Sequence, residues 1–141
     1  MANKKEFKIG VIGAGAWGTA LANILAQKQN IKLWAKEKSV YDNIEKHREN
    51  KRFLPKIKLG KKIKCTTEVN NVSECEILFL VIPVQYLSGV LSKLKTSLNE
   101  KTIFVCCSKG LEMNSLKLPS QIVSSIFPKN KIAIISGPNF A

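Results

Sequence analysis

Apolar side chains fall along this chain in short runs, separated by stretches in which they recur three and four residues apart. Phe7, Ile9, Val11 and Ile12 form the first run, a buried-strand pattern, and after Gly18 the residues Ala20, Leu21, Ile24 and Leu25 repeat at helical spacing. Ile31–Trp34 predicts a second strand, and 40–50 a mostly polar helix that starts after Ser39 as its cap. The run Arg52, Phe53, Leu54, Pro55 breaks that helix, because proline disfavours helical backbone at the residue before it. A short third strand is expected at Ile63–Thr66, followed by no more than a helical turn within 68–74. Residues 76–82 are apolar almost throughout, as in a parallel strand covered on both faces. Pro83 ends that strand, and Leu87, Val90, Leu91 and Leu94 carry a helix over 85–98. A fifth strand at 102–107, a helix at 118–127 and a sixth strand at 131–135 complete the pattern.

Strands that alternate with helices through the whole chain predict an α/β domain over 1–141, doubly wound, with a mostly parallel sheet and helices on both faces. In such a sheet ligands bind beyond the carboxyl ends of the strands, near the point where strand order reverses. The loops at 13–18, 35–38, 83–86, 108–110 and 136–141 are therefore where function is expected.

The first of these loops reads Gly13, Ala14, Gly15, Ala16, Trp17, Gly18, a GxGxxG between a strand and a helix. Each glycine has a separate task in a dinucleotide-binding Rossmann unit. Gly13 lets the chain turn off the strand, Gly15 admits a pyrophosphate to the backbone, and Gly18 lets the helix pack close to the strand. The pyrophosphate would lie against unpaired N–H groups at the positive end of the helix dipole. About twenty residues on, where an NAD-binding unit places a carboxylate for the ribose, the chain has Trp34, Ala35 and Lys36. A lysine there neutralises the extra phosphate of NADP, so NADPH is slightly favoured over NADH, with Glu37 as the competing carboxylate.

Composition narrows the picture. The 141 residues carry a net charge of +13, with lysines scattered rather than gathered among aromatics, so a basic nucleotide- or nucleic-acid-binding module stands only as an alternative. No apolar run reaches the roughly 18 residues of a membrane helix, and no signal-peptide core follows the first lysines, which predicts a cytoplasmic protein. Cys65, Cys75, Cys106 and Cys107 make no CxxC pair, and with His47 as the sole histidine no metal site is expected. No GxSxG elbow and no Walker lysine is present.

Two further stretches carry candidate chemistry. Lys109, between Ser108 and Gly110 directly after the fifth strand, is placed to present a point charge to a phosphate or a polarised oxygen. The final residues Ser136 to Ala141 offer a glycine turn, an amide side chain at Asn139 and backbone N–H groups suited to a polyol or phosphate.

Taken together, GAGAWGTALA from Gly13, NKRFLP from Asn50, VIPVQY from Val81, SKG from Ser108 and SGPNFA from Ser136 resemble the bacterial-type NAD(P)-dependent glycerol-3-phosphate dehydrogenases over nearly the whole chain. The resemblance implies a Rossmann domain followed by an all-helical catalytic domain, and reduction of dihydroxyacetone phosphate to sn-glycerol 3-phosphate for glycerophospholipid synthesis. It implies cofactor contacts at Ala16, Trp17, Lys36, Tyr86, Lys109 and Ala141, and substrate contacts at Lys109, Gly137 and Asn139. Ala16 and Asn139 depart from the serine, or serine and threonine, frequent at those positions. The family's principal catalytic lysine would lie beyond Ala141, so the chain is expected to be the N-terminal part of a larger enzyme, to bind cofactor, and to turn over poorly alone. A homodimer of the full-length protein is compatible with the resemblance. Other dehydrogenases of the 3-hydroxyacid or 6-phosphogluconate type are the alternative, against which SKG and SGPNFA argue.

Overall fold

Each apolar run expected as a strand becomes one, in a single sheet. A computed structural model describes residues 6–94 and 96–136. The strands are β1 (Ile9–Ile12), β2 (Ile31–Trp34), β3 (Ile63–Thr66), β4 (Ile77–Leu80), β5 (Ile103–Cys106) and β6 (Ile132–Ile134). They lie in the order β3-β2-β1-β4-β5-β6, and every pairing is parallel. Helices α1 (Ala16–Leu25), α2 (Lys38–His47), α3 (Val84–Leu94) and α4 (Pro119–Ile126) and a 3-10 turn at Val69–Val72 make the crossovers.

Because both faces of a parallel sheet are covered, side chains alternate between two cores. On one face Leu78, Leu80 and Phe104 pack with Leu87, Leu91 and Ile122. On the other Val11 and Leu33 pack with Ala22, Val40 and Ile44. Strand order reverses between β1 and β4, and β1 aligns its Ile12 with Trp34 of β2 on one side and Leu80 of β4 on the other.

Three helical expectations need correction. Helix α2 begins two residues before Val40, with Glu37 in extended conformation as its N-cap, and stops at His47. Arg48 ends it in the left-handed region (φ 53, ψ 41), where its N–H still reaches the Ile44 carbonyl and its guanidinium donates to the carbonyls of Gly60 and Ile63. Helix α3 is Val84–Leu94 rather than reaching 98, and the N–H groups of Ser97 and Leu98 both donate to the Leu94 carbonyl in a turn beyond it. On α1, Ile24 continues the helical spacing but is exposed, as the helix buries Leu21 and Ala22 instead.

The glycine turn is held by two close approaches. Gly13 has φ +121, and a Cβ on it would lie 2.4 Å from the Val81 carbonyl oxygen; a Cβ on Gly18 would lie 1.9 Å from the carbonyl oxygen of Gly13. A Cβ on Gly15 would meet nothing within 4 Å. Gly18→Ala is expected to cost at least about 3 kcal/mol, since the obstacle is backbone that cannot swing aside. Gly15→Ala, at the helix N-cap, is expected to cost about 1 kcal/mol or less. Urea unfolding of the two variants beside the parent checks the contrast.

All four cysteines are free and buried. Burial pushes the Cys65 thiol up to about 12, with the Glu45 carboxylate adding to it, and pushes Cys75, Cys106 and Cys107 up to about 11. A thiol in the unfolded chain ionises near ~8.5, so above that pH the folded state keeps protons that the unfolded state releases. The stability that these thiols contribute is thus complete below about pH 8.5 and is lost as pH rises through the folded values. Chemical unfolding between pH 8 and 11 should show this decline, shallower in Cys65→Ala than in the parent.

Candidate functional site

At the reversal point, beyond the carboxyl ends of β1 and β4, a cleft of about 620 Å³ opens. Gly13, Ala14 and Gly15 form one wall, Ala35, Lys36 and Glu37 after β2 a second, and Pro83, Gln85 and Tyr86 at the start of α3 a third. Trp34 and Phe53 add apolar surface, and the Trp34 indole N–H is satisfied by the Thr67 carbonyl at 2.9 Å. The lining is thus apolar with polar groups at its rim, as small-molecule clefts are.

Helix α1 starts at this cleft. Its N-cap is Gly15, which has no side chain to satisfy the first turn, so the N–H groups of Ala16, Trp17 and Gly18 carry the positive end of the helix with no acceptor inside it. Trp17, 49% exposed, projects from this turn. The first glycine and its neighbour are anchored to the sheet: Gly13 N–H donates to the Trp34 carbonyl at 3.2 Å, and Val81 N–H to the Ile12 carbonyl at 2.9 Å.

Two of the residues singled out from the sequence meet across the cleft. The Lys36 ammonium lies 5.0 Å from the centroid of the Tyr86 ring, in cation–π contact. The competing carboxylate of Glu37 is engaged elsewhere, in an ion pair with the Arg52 guanidinium, which itself stacks 4.9 Å over the Phe53 ring. Lys36 therefore faces the rim, where Lys93 of α3 also lines the cleft, while Glu37 is neutralised beside it.

Lys109 stands apart from this cleft. It lines a smaller recess of about 250 Å³ with Ser108, Gly110, Pro119, Ile134 and Ser136. Ser108 fixes the rim by donating to the Ile82 carbonyl at 2.6 Å, and Gly110 takes φ +89 as the chain turns away. The following loop is tied to α3 at two places. Gln85 donates to the Leu111 carbonyl and accepts from Met113 N–H, each at 2.9 Å, while Ser88 donates to Glu112 at 2.5 Å. Hydroxyl hydrogen bonds from Ser115 and Ser88 hold the Glu112 carboxyl below the usual carboxylate range. Gly137, Asn139 and Ala141 lie outside the described residues.

One residue at this site escaped the sequence reading. Asn50, the expected end of the 40–50 helix, is fully buried beside the glycine turn. Its amide donates to the Ala14 carbonyl at 2.8 Å and to the Thr19 hydroxyl at 2.9 Å. The only local signal was an asparagine two residues before a helix-breaking run, which alone reads as a turn former.

A third hollow, about 590 Å³, lies at the opposite, amino ends of the strands and is lined by Lys8, Lys32, Lys61 and Lys62. Glu74 neutralises part of that charge through ion pairs with Lys32 and Lys8. Among the described residues no group of histidine, cysteine and carboxylate side chains is placed to hold a metal ion, and no helix is long and apolar enough to cross a membrane.

The family model for the N-terminus of NAD-dependent glycerol-3-phosphate dehydrogenase matches residues 8–141. The chain belongs to this family. It is 39% identical over 132 residues to glycerol-3-phosphate dehydrogenase [NAD(P)+] of Neorickettsia sennetsu, covering 93% of this chain and 40% of that protein. With the enzyme of the same name from Hyphomonas neptunium it shares 39% identity over 139 residues, 97% of this chain and 41% of the other. The crystal structure of glycerol-3-phosphate dehydrogenase from Coxiella burnetii superposes with a TM-score of 0.88 at 30% identity, over 96% of this chain and 42% of that one. The chain thus spans about two fifths of the length of these glycerol-3-phosphate dehydrogenases, and the sheet order found here is the Rossmann order.

Since Gln85 holds two backbone groups of the loop after Gly110, Gln85→Ala should free that loop without unfolding the domain. Amide hydrogen exchange at Leu111 to Lys117 is expected to quicken, while global stability falls by about 1–3 kcal/mol.

Proposed function

We propose that this chain is the cofactor-binding domain of an oxidoreductase that interconverts dihydroxyacetone phosphate and sn-glycerol 3-phosphate with NAD(P)H, and that it prefers NADPH. The observation that carries this reading is the glycine turn: Gly13 and Gly18 are closed against backbone, Gly15 is open, and the bare helix end faces the cleft at the reversal of strand order. That is the cradle a pyrophosphate requires. Family membership supports the assignment of the reaction.

Within it, Gly13, Gly15, Ala16, Trp17 and Gly18 hold the pyrophosphate through backbone N–H groups and close approach. Lys36 meets the 2′-phosphate, and Tyr86 packs beside the cofactor. The bound cofactor supplies the hydride that adds to the carbonyl carbon of dihydroxyacetone phosphate. The oxygen left with the electron pair takes up one proton, and the Lys109 ammonium offers charge to that oxygen or to the substrate phosphate from the neighbouring recess. Gly137 and Asn139 complete the substrate side, and Ala141 contacts the cofactor near the nicotinamide. In this reading a helical domain contributes the lysine that moves the proton, so the domain alone binds dinucleotide but turns over slowly. The enzyme works in the cytoplasm, as a homodimer when full-length, on a small phosphorylated substrate rather than on nucleic acid, and supplies glycerophospholipid synthesis.

Titration with NADPH and with NADH, read by the fluorescence of Trp17 and Trp34 at two salt concentrations, tests the reading. Saturable binding with NADPH the tighter is expected, and Lys36→Glu should weaken NADPH by about ten-fold or more while changing NADH by about three-fold or less. Absence of saturation by either dinucleotide, together with salt-sensitive binding of a nucleic acid, would favour a basic nucleic-acid module instead.

A further inference from the structure

Buried polar residues are few among the described residues, and Asn50 and Thr19 are two of the three, in contact with one another. A buried amide is retained when its hydrogen bonds fix something that apolar packing cannot. What Asn50 fixes is visible from its partners. One N–H reaches the Ala14 carbonyl inside the GxGxxG turn, the other reaches the Thr19 hydroxyl one turn into α1, and the amide oxygen accepts from Phe53 N–H at 3.3 Å. Its main-chain carbonyl accepts from Leu54 N–H at 2.8 Å, closing the loop that carries Arg52 and Phe53.

We propose that Asn50 is a positioning residue for dinucleotide binding: it sets the plane of the Ala14–Gly15 peptide and locks the 50–54 loop to it. The reasoning is geometric. In a trans peptide the carbonyl and the N–H point in opposite directions, so a carbonyl of Ala14 held inward against Asn50 turns the Gly15 N–H outward. Ala14 and Gly15 both line the cleft, and the outward N–H joins those of the first turn of α1. The same amide holds Phe53 N–H, whose ring lines the cleft next to Lys36 and Glu37. Asn50, 36 positions from Ala14 and 31 from Thr19 in sequence, thereby fixes the distance between the pyrophosphate cradle and the Phe53 ring at the ribose end. Without its donors the Ala14 carbonyl would be buried and unpaired, and the peptide would turn to satisfy it.

This inference rests on the cofactor reading above, and its test separates the two. The chain and its variants are titrated by calorimetry with NADPH, which has a pyrophosphate, and with 2′-AMP, which keeps the 2′-phosphate and adenine and has none. In Asn50→Ala, shown to be folded by circular dichroism, NADPH affinity should fall by about ten-fold or more while 2′-AMP affinity changes by about two-fold or less. Should Asn50→Ala fail to fold, Thr19→Val decides: it keeps the side-chain shape, removes one of the two acceptors, and should weaken NADPH selectively by a few-fold. Equal loss for both ligands, or no loss for either, in a folded variant overturns the positioning role. An unsubstituted chain that binds neither ligand overturns the cofactor reading itself, and this inference with it.

Discussion

The carbonyl oxygen of Gly13 occupies the space that a side chain at position 18 would need, 1.9 Å from the site of its first carbon. That approach of helix to turn depends on one missing atom. Because it is met, α1 begins immediately beside β1, its bare N-terminus meets the reversal of strand order, and the cleft acquires a wall made of backbone. Gly13 adds the complementary condition, since its own φ of +121 and its contact with the Val81 carbonyl bring β4 against the same turn. Everything else at the site is arranged around this fixed point. Lys36 and Tyr86 form the rim, Asn50 braces the turn from below, and the loop from Ser108 is fastened to the next helix over.

Electrostatics enter locally rather than through the total charge. The net +13 of the sequence is spread over the surface, and exposed pairs such as Lys129 with Glu100 contribute little to stability. What matters at the cleft is a triplet. Arg52 occupies Glu37, and Lys36 is left with a ring beneath it rather than a carboxylate beside it. A dinucleotide approaching the end of β2 therefore meets a cation whose nearest acidic neighbour is already paired. Among the described residues, the lysine-lined hollow at the other end of the strands is lined by no glycine and no helix residue, and part of its charge is answered by Glu74.

The sheet was legible because each strand is a short, nearly unbroken apolar run, such as Ile77 to Leu80, and because parallel strands need no polar face to be told from helices. The glycine turn was legible because its residues are required by backbone geometry, which no neighbour can supply. What sequence could not reveal was decided at a distance. The end of α2 depends on Arg48 accepting left-handed backbone while its guanidinium reaches Gly60 and Ile63, and on Asn50 being drawn under the glycine turn. Ile24 kept its helical spacing but met no covering side chain. Glu37 and Lys36 were adjacent candidates for one task, and only the position of Arg52, fifteen residues on, separates them.

The register of β1 has a consequence for how the domain forms as it is synthesised. Ile9 pairs with Ile31 on one side and with Ile77 on the other, so the first strand has one neighbour that emerges early and one that emerges only after β3 and its turn have been made. Until β4 docks, Gly13 has no Val81 to pack against and the cleft lacks the wall bearing Pro83 and Tyr86, although the entire GxGxxG has long since left the ribosome. A nascent chain therefore carries the fingerprint well before it carries the pocket, and the pocket closes only with the slow, non-local pairing of β1 and β4.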